Sequence, residues 1–325
     1  RHDVESRGLG DVYKRQNKYN VEDRKAFLFC YLMILIPVAQ FLIFWVYVNA
    51  NSIFLAFKDD FGHFTLNNFK DLFHAFTDED MYGWNLGAIL GRTVLLWFIV
   101  NIVCTPLIMF STYILFKKIA GHYVFRTIFA IPSILGAIIW TTLMRYFVSA
   151  NGPILELVQQ MGVEISADVA QNGLIGTDRT AFPTLIAINV IPNLIACNLI
   201  LTGAFNRIPP ELFECARLDG ISFFRGFIAI AIPLAWPTIV INLISALSTI
   251  FTANGNVFLY TMGQFETATM GFYLYYMVFR ISNSVVGANA FGYPAAVGLF
   301  LTIITLPVIL VGKHFLEKTY ETVEY

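Results

Sequence analysis

The sequence predicts an all-α, polytopic membrane protein with about six transmembrane helices. Three observations predict it: the chain is 57% hydrophobic with only 13% charged residues, it contains six long apolar runs, and a short polar helix-turn interrupts them. Soluble domains carry about a quarter charged residues, so this balance belongs to a chain whose solvent is lipid. The net charge of -1 and the scatter of the basic residues exclude a nucleic-acid partner. Cys30, Cys104 and Cys197 sit in apolar runs and Cys215 in the polar break, which reads as small packing residues with no CxxC pair or disulfide framework.

The apolar runs span residues 26–48, 93–116, 127–148, 181–205, 226–251 and 294–312, each 19 to 26 residues long. At ~1.5 Å per residue, each covers a hydrocarbon layer of about 30 Å. Buried helices of a soluble bundle need polar faces at helical spacing, which these runs lack. Residues 1–25 precede them as a tail. Its stretch 7–16 reads as translated adaptor sequence, so residues 1–16 are set aside from fold reasoning. Residues 26–325 are expected to form the transmembrane domain, with the polar break at 206–225.

Basic residues give the orientation. Lys18, Arg24 and Lys25, then Lys117, Lys118 and Arg126, then Arg207, Arg217 and Arg225, and finally Lys313 and Lys318 all fall on one side of the six runs. The other side carries Asp59, Asp60, Asp71, Asp78, Glu79, Asp80, Glu156, Glu164 and Asp178. The positive-inside rule puts both termini and the 206–225 break in the cytoplasm. Nearly every run holds a proline: Pro37, Pro106, Pro132, Pro183, Pro192, Pro233 or Pro307. Each removes a backbone donor whose carbonyl partner must be satisfied elsewhere, which predicts bent helices around a cavity. The general frequency of proline in membrane helices is the other reading.

Between the runs, residues 68–76 have the spacing of a short amphipathic surface helix, and 269–279 reads as a helix at the same surface. Residues 151–180 read as a polar surface loop ending in a turn at Asn172-Gly173. In the break, Pro209 and Pro210 suit the first turn of a helix, and Glu211 and Glu214 sit near the positive end of its dipole. Gly220 permits a left-handed stop, and Ser222 caps the next helix. Cys215 and Ala216 are small enough for a partner to approach the backbone closely. A charged surface turn that touches nothing is the bland alternative.

Glu214-Cys215-Ala216, then three residues, Gly220, nine residues and Ile230-Ala231-Ile232-Pro233 resembles the Glu-Ala-Ala loop of binding-protein-dependent ABC importer permeases. Cys215 and Ile232 depart from its alanine and leucine. Residues 208–214 with Leu218-Asp219-Gly220, together with 65–73, resemble the carbohydrate-type branch, akin to the larger permease of maltose-type systems. The resemblance implies a six-span permease of a bacterial inner membrane, working with a second permease subunit, a cytoplasmic ATPase dimer and an extracellular or periplasmic solute-binding protein that delivers a sugar. It also implies that Glu211, Glu214, Cys215, Ala216, Asp219 and Gly220 form the ATPase-coupling helix: Glu214 the docking anion, Ala216 the close-contact residue and Gly220 the turn. No cofactor is expected in this chain. It has no GxxxxGK[ST] loop, so ATP and Mg2+ are expected on the partner ATPase, and the chain is expected not to be an enzyme.

Asn189, Asn193 and Asn198 in the fourth run, with Asn242, Ser245, Ser248 and Thr249 in the fifth, are polar groups that lipid does not tolerate unpaired. A wet sugar path, with Trp236 and Tyr276 as ring-stacking aromatics, resolves them; so does hydrogen bonding between helices. His2, His63, His74, His122 and His314 are isolated, with no metal-ligand spacing. The competing functional class is an ion-coupled secondary transporter of a small polar solute, whose coupling acids belong inside the spans.

Overall fold

The computed structural model describes residues 25–319, apart from 60, 79–82, 120, 253–255 and 284–290. The tail 1–24, Asp60, Glu79, Asp80 and the side chains of Pro132, Cys197 and Asn198 therefore lie outside the described residues. Among the described residues the chain is helical, with a single isolated β-bridge between Lys58 and Phe64.

The elements run in chain order as follows. Helix α1 is Lys25–Ala56, α2 is Asn67–Thr77 and α3 is Leu86–Phe116. Next come α4 (His122–Ile134), α5 (Ala137–Phe147), α6 (Pro153–Gln160) and α7 (Ala167–Asn172). The long α8 (Asp178–Phe205) leads to the short α9 (Pro210–Leu218), which turns into α10 (Phe223–Ser248). Short α11 (Val257–Tyr260), α12 (Met270–Asn283) and the terminal α13 (Gly292–Thr319) complete the fold.

Among the described residues, α1, α3, α10 and α13 are long and apolar enough to cross a membrane. The run 181–205 lies within the 28-residue α8. The run 127–148 is not one helix: Leu135 and Gly136 are extended, with ψ of 131° and 150°, and divide it into α4 and α5.

Three wide turns with i→i+5 bonding lie inside the long helices, at Phe41–Tyr47, Phe98–Val103 and Phe227–Ala231. Two of them lie just before a proline. The second closes with Cys104 N–H on Ile99 O, two residues before Pro106, and the third with Ile232 N–H on Phe227 O, one residue before Pro233, so the helix register shifts next to each residue that lacks an N–H.

Two apolar cores form, one at each end of the bundle. At the end away from α9, Leu72, Leu86, Ile89, Leu185, Met270, Tyr273 and Val297 are fully buried or nearly so, joining α2, α3, α8, α12 and α13. At the α9 end, Ile108, Tyr113, Phe205, Phe213, Ala231 and Ile239 join α3, α8, α9 and α10. The polar loop expected over 151–180 is instead organised by α6 and α7. Pro153 starts α6, and Leu155 and Val169 are buried; each short helix is kept by one inward apolar residue that a count of glycines and polar residues overlooks. The Asn172-Gly173 turn is present, with Gly173 at φ 77°.

Candidate functional site: the α9 helix and the polar pocket between α3, α8 and α10

α9 forms because its ends are well defined. Pro210 occupies the first turn, where its missing N–H costs nothing, and Glu211 lies in the same turn at the positive end of the dipole. At the other end Gly220, at φ 74°, lets Ile221 N–H reach Ala216 O at 3.0 Å and Gly220 N–H reach Arg217 O at 3.0 Å. This pair of bonds is the Schellman stop. Ser222 Oγ then accepts from Arg225 N–H at 3.4 Å to begin α10.

The two faces of α9 differ in kind. Phe213 and Ala216 are buried against the bundle, whereas Glu211, Glu214, Cys215, Asp219 and Leu218, the last 90% exposed, face solution. Phe213 enters a nest of rings: Phe116 at 5.5 Å and Tyr113 at 6.2 Å between centroids. Tyr113 also meets Phe223 at 4.9 Å, Phe227 at 5.1 Å and Phe205 at 6.3 Å. The ends of α3, α8, α9 and α10 thus converge on one aromatic cluster. Above it, Lys117 Nζ stands 3.4 Å from the centre of the Phe213 ring. Burial holds the Lys117 ammonium below the ordinary lysine range, and the like charge of Arg217 adds to that. A partly desolvated cation over a ring face is worth about 1–2 kcal/mol.

Deeper in the bundle, a partly open pocket of about 400 Å³, open solvent included, lies between α3, α8 and α10, lined by Asn101, Thr105, Asn193 and Asn242 together with Ile108, Leu201, Ile239, Leu243 and Ala246. The wide turn in α3 presents the Val100 carbonyl sideways, and Asn193 Nδ2 of α8 donates to it. Asn101 Nδ2 donates back to Trp97 O at 3.0 Å, and Trp97 Nε1 donates to Ala246 O of α10 at 2.7 Å. Backbone carbonyls of α3 and α10 are therefore satisfied by side chains of α3 and α8 beside this pocket, as a non-aqueous interior requires.

No family model matches the chain. It is 24% identical over 303 residues, 89% of its own length and 96% of the relative's, to the probable ABC transporter permease protein YurN of Bacillus subtilis (strain 168). It is 28% identical over 135 residues, 40% of its length and 43% of the relative's, to the trehalose/maltose transport system permease protein MalF of Thermococcus litoralis. One chain of the crystal structure of a bacterial alginate ABC transporter, in complex with an alginate pentasaccharide-bound periplasmic protein, superposes with a TM-score of 0.76 at 19% identity, covering 93% of this chain and 99% of that one. These findings show the fold of an ABC transporter permease and, along most of the chain, similarity to a protein that bears that name.

In this fold the sequence-predicted residues fall in several places. Glu211, Glu214, Cys215 and Asp219 share the open surface of α9, and Gly220 makes the turn beneath them. Ala216 does not belong with them. It is 8% exposed and packs inward beside Phe213, because positions three apart on a helix share a face. The small exposed residue is Cys215.

Of the polar residues expected along a path, Asn193 and Asn242 come together in the pocket. Asn189 Nδ2 donates to Leu185 O of its own helix at 2.8 Å. Ser245 is exposed, with its carbonyl accepting from Ser248 Oγ at 2.6 Å, and Thr249 Oγ1 donates to Ala246 O at 2.9 Å. Tyr276 lies elsewhere, near Phe272 at 6.0 Å and Trp84 at 5.8 Å, under the Arg280 guanidinium. Trp236 donates Nε1 to Leu316 O at 3.1 Å, which pins α10 to α13. Asn101 and Thr105 are pocket residues that the sequence reading missed; the same test, an amide or hydroxyl in the middle of an apolar run, would have found both.

Proposed function

We propose that this chain is the transmembrane permease subunit of an ATP-driven importer, translocating a sugar or oligosaccharide delivered by an external binding protein. The observation that carries the reading is α9: a short helix with an open carboxylate face, rooted by one buried ring in the converging ends of three long helices. An acidic handle on an aromatic pivot suits mechanical work done by a separate nucleotide-hydrolysing subunit. The names of YurN and MalF, and the alginate importer fold, support the class and a carbohydrate cargo.

In this reading six spans cross a bacterial inner membrane, with α4, α5 and α8 supplying the crossings beyond the four long apolar helices. Lys117, Lys118, Arg217, Arg225, Lys313 and Lys318 lie at the α9 end, which supports a cytoplasmic α9 and cytoplasmic termini. The partners are a second permease subunit, an ATPase dimer that binds ATP and Mg2+, and the binding protein; this chain itself holds no cofactor and performs no chemistry. Asn101, Asn193 and Asn242 supply amides suited to sugar hydroxyls along the path. When the ATPases close, α9 moves with them through Glu211 and Glu214, and the ring cluster passes that displacement to α3, α8 and α10.

Reconstitution tests the reading. Vesicles holding both permeases and the ATPases take up sugar only with ATP inside and binding protein outside, and vesicles of this chain alone take up none under a proton or sodium gradient. Gradient-driven uptake by the chain alone would establish the ion-coupled carrier instead. Glu214→Lys is expected to leave the protein inserted in the membrane while ATP-dependent uptake falls by about a hundredfold, the scale on which reversing one buried interfacial charge acts. Normal uptake by that variant removes Glu214 from the coupling role.

A further inference from the structure

α9 is tied to the bundle by strangely few directional contacts. Among the described residues, no ion pair and no side-chain hydrogen bond joins Pro210–Leu218 to a long helix. Its hold is the burial of Phe213 and Ala216. Burial is non-directional, so a helix held by one ring and one small side chain can rock about them. The exception is Lys117. Its ammonium lies 3.4 Å from the Phe213 ring centre and also within 5.4 Å of Tyr113 and 5.8 Å of Phe116. A cation interacts well only over a ring face, so this contact favours one orientation of the Phe213 ring, and with it one tilt of α9. Attraction to a carboxylate does not explain the placement, since Lys117 makes no ion pair among the described residues and Arg217 on α9 repels it.

We infer that Lys117 is a positioning residue that sets the tilt of α9 by clasping the face of Phe213. The consequence for transport rests on the proposed importer function; the geometric claim does not. Without the clasp, a push on Glu214 tilts α9 about its ring before it moves the long helices. Part of each stroke is then lost.

The test uses the full chain in lipid nanodiscs. With Cys30, Cys104 and Cys197 replaced by alanine, spin labels are placed on native Cys215 of α9 and on Leu107→Cys, a 57% exposed position on α3. Pulsed electron paramagnetic resonance then reads the distance between them. Lys117 and Lys117→Arg are expected to give one narrow distribution, and Lys117→Met, of similar length but uncharged, a distinctly broader one. Phe213→Leu, which keeps apolar bulk without a ring face, should broaden it equally, and adding Lys117→Met to Phe213→Leu should broaden it no further. A narrow, unshifted distribution for Lys117→Met overturns the inference, as does a broadening that Lys117→Arg fails to rescue. In the reconstituted importer, sugar delivered per ATP is expected to fall by about tenfold in Lys117→Met, the scale of one desolvated cation–π contact, and to recover in Lys117→Arg. If the distances behave as expected while uptake proves independent of any ATPase, the clasp stands and the importer reading falls.

Discussion

α2 and α9 are both short amphipathic helices laid across the ends of longer ones, at opposite ends of the bundle, yet they are attached in different ways. α2 buries Leu72 and Ala75 completely or nearly so, and sets Phe73 and Phe76 at 5.8 and 5.6 Å from Phe300 of α13. It is also tied by hydrogen bonds: Asn68 Nδ2 donates to Ala56 O at 3.0 Å and to Lys58 O at 2.8 Å. α9 likewise buries one large residue and one alanine, Phe213 and Ala216, but among the described residues it has no such hydrogen bond. It meets the bundle through Phe213 and Lys117 and leaves its carboxylates open. Two independent kinds of attachment make a brace, whereas one ring and one cation make a pivot. The difference separates a helix that stiffens the fold from one that is shaped to be moved.

The comparison can be broken by matched core truncations. Phe213→Ala and Leu72→Ala each remove a deeply buried side chain, at a cost of about 3–5 and 2–5 kcal/mol respectively. Both should lower the thermal unfolding midpoint in lipid. If α9 is a pivot, only Phe213→Ala should also abolish ATP-driven uptake when assayed well below its midpoint. Equal loss of uptake in Leu72→Ala would erase the distinction. Gly220→Ala is the next largest effect. At φ 74° an added Cβ costs about 1–2 kcal/mol, although nothing crowds the site, so the penalty comes from backbone strain alone. It should fray the end of α9, seen as faster amide hydrogen exchange at Ile221, with little change at α2. Asn68→Ala should have an effect of similar size at the other end of the bundle. Losing bonds to two carbonyls costs about 1–2 kcal/mol, and faster exchange confined to α2 and the 57–65 connection would confirm that Asn68 secures the brace.

Much of this was legible from residues alone. The amphipathic spacing of 68–76 and the proline, glutamate and glycine of 209–220 are local signals, and the helices they predict appear within a residue or two. Gly220 was readable because only one backbone region suits a glycine stop there. The division of the third apolar run was less legible, since hydropathy measures suitability for lipid and not the backbone angles of Leu135 and Gly136. Helices α6 and α7 were hidden in a segment whose single buried leucine and valine count for little in a composition.

The sequence by itself determined that the chain is helical and membrane-borne, where its polar elbow lies, and that the elbow carries carboxylates, because each of these depends on residues close together in the chain. Which face of α9 those carboxylates share was decided only by tertiary structure. So was the inward turn of Ala216, the meeting of Asn101 with Asn193 and Asn242, and the seating of Lys117 on Phe213, 96 positions further along. Such contacts join distant segments through packing geometry, and no pattern within either segment encodes its partner.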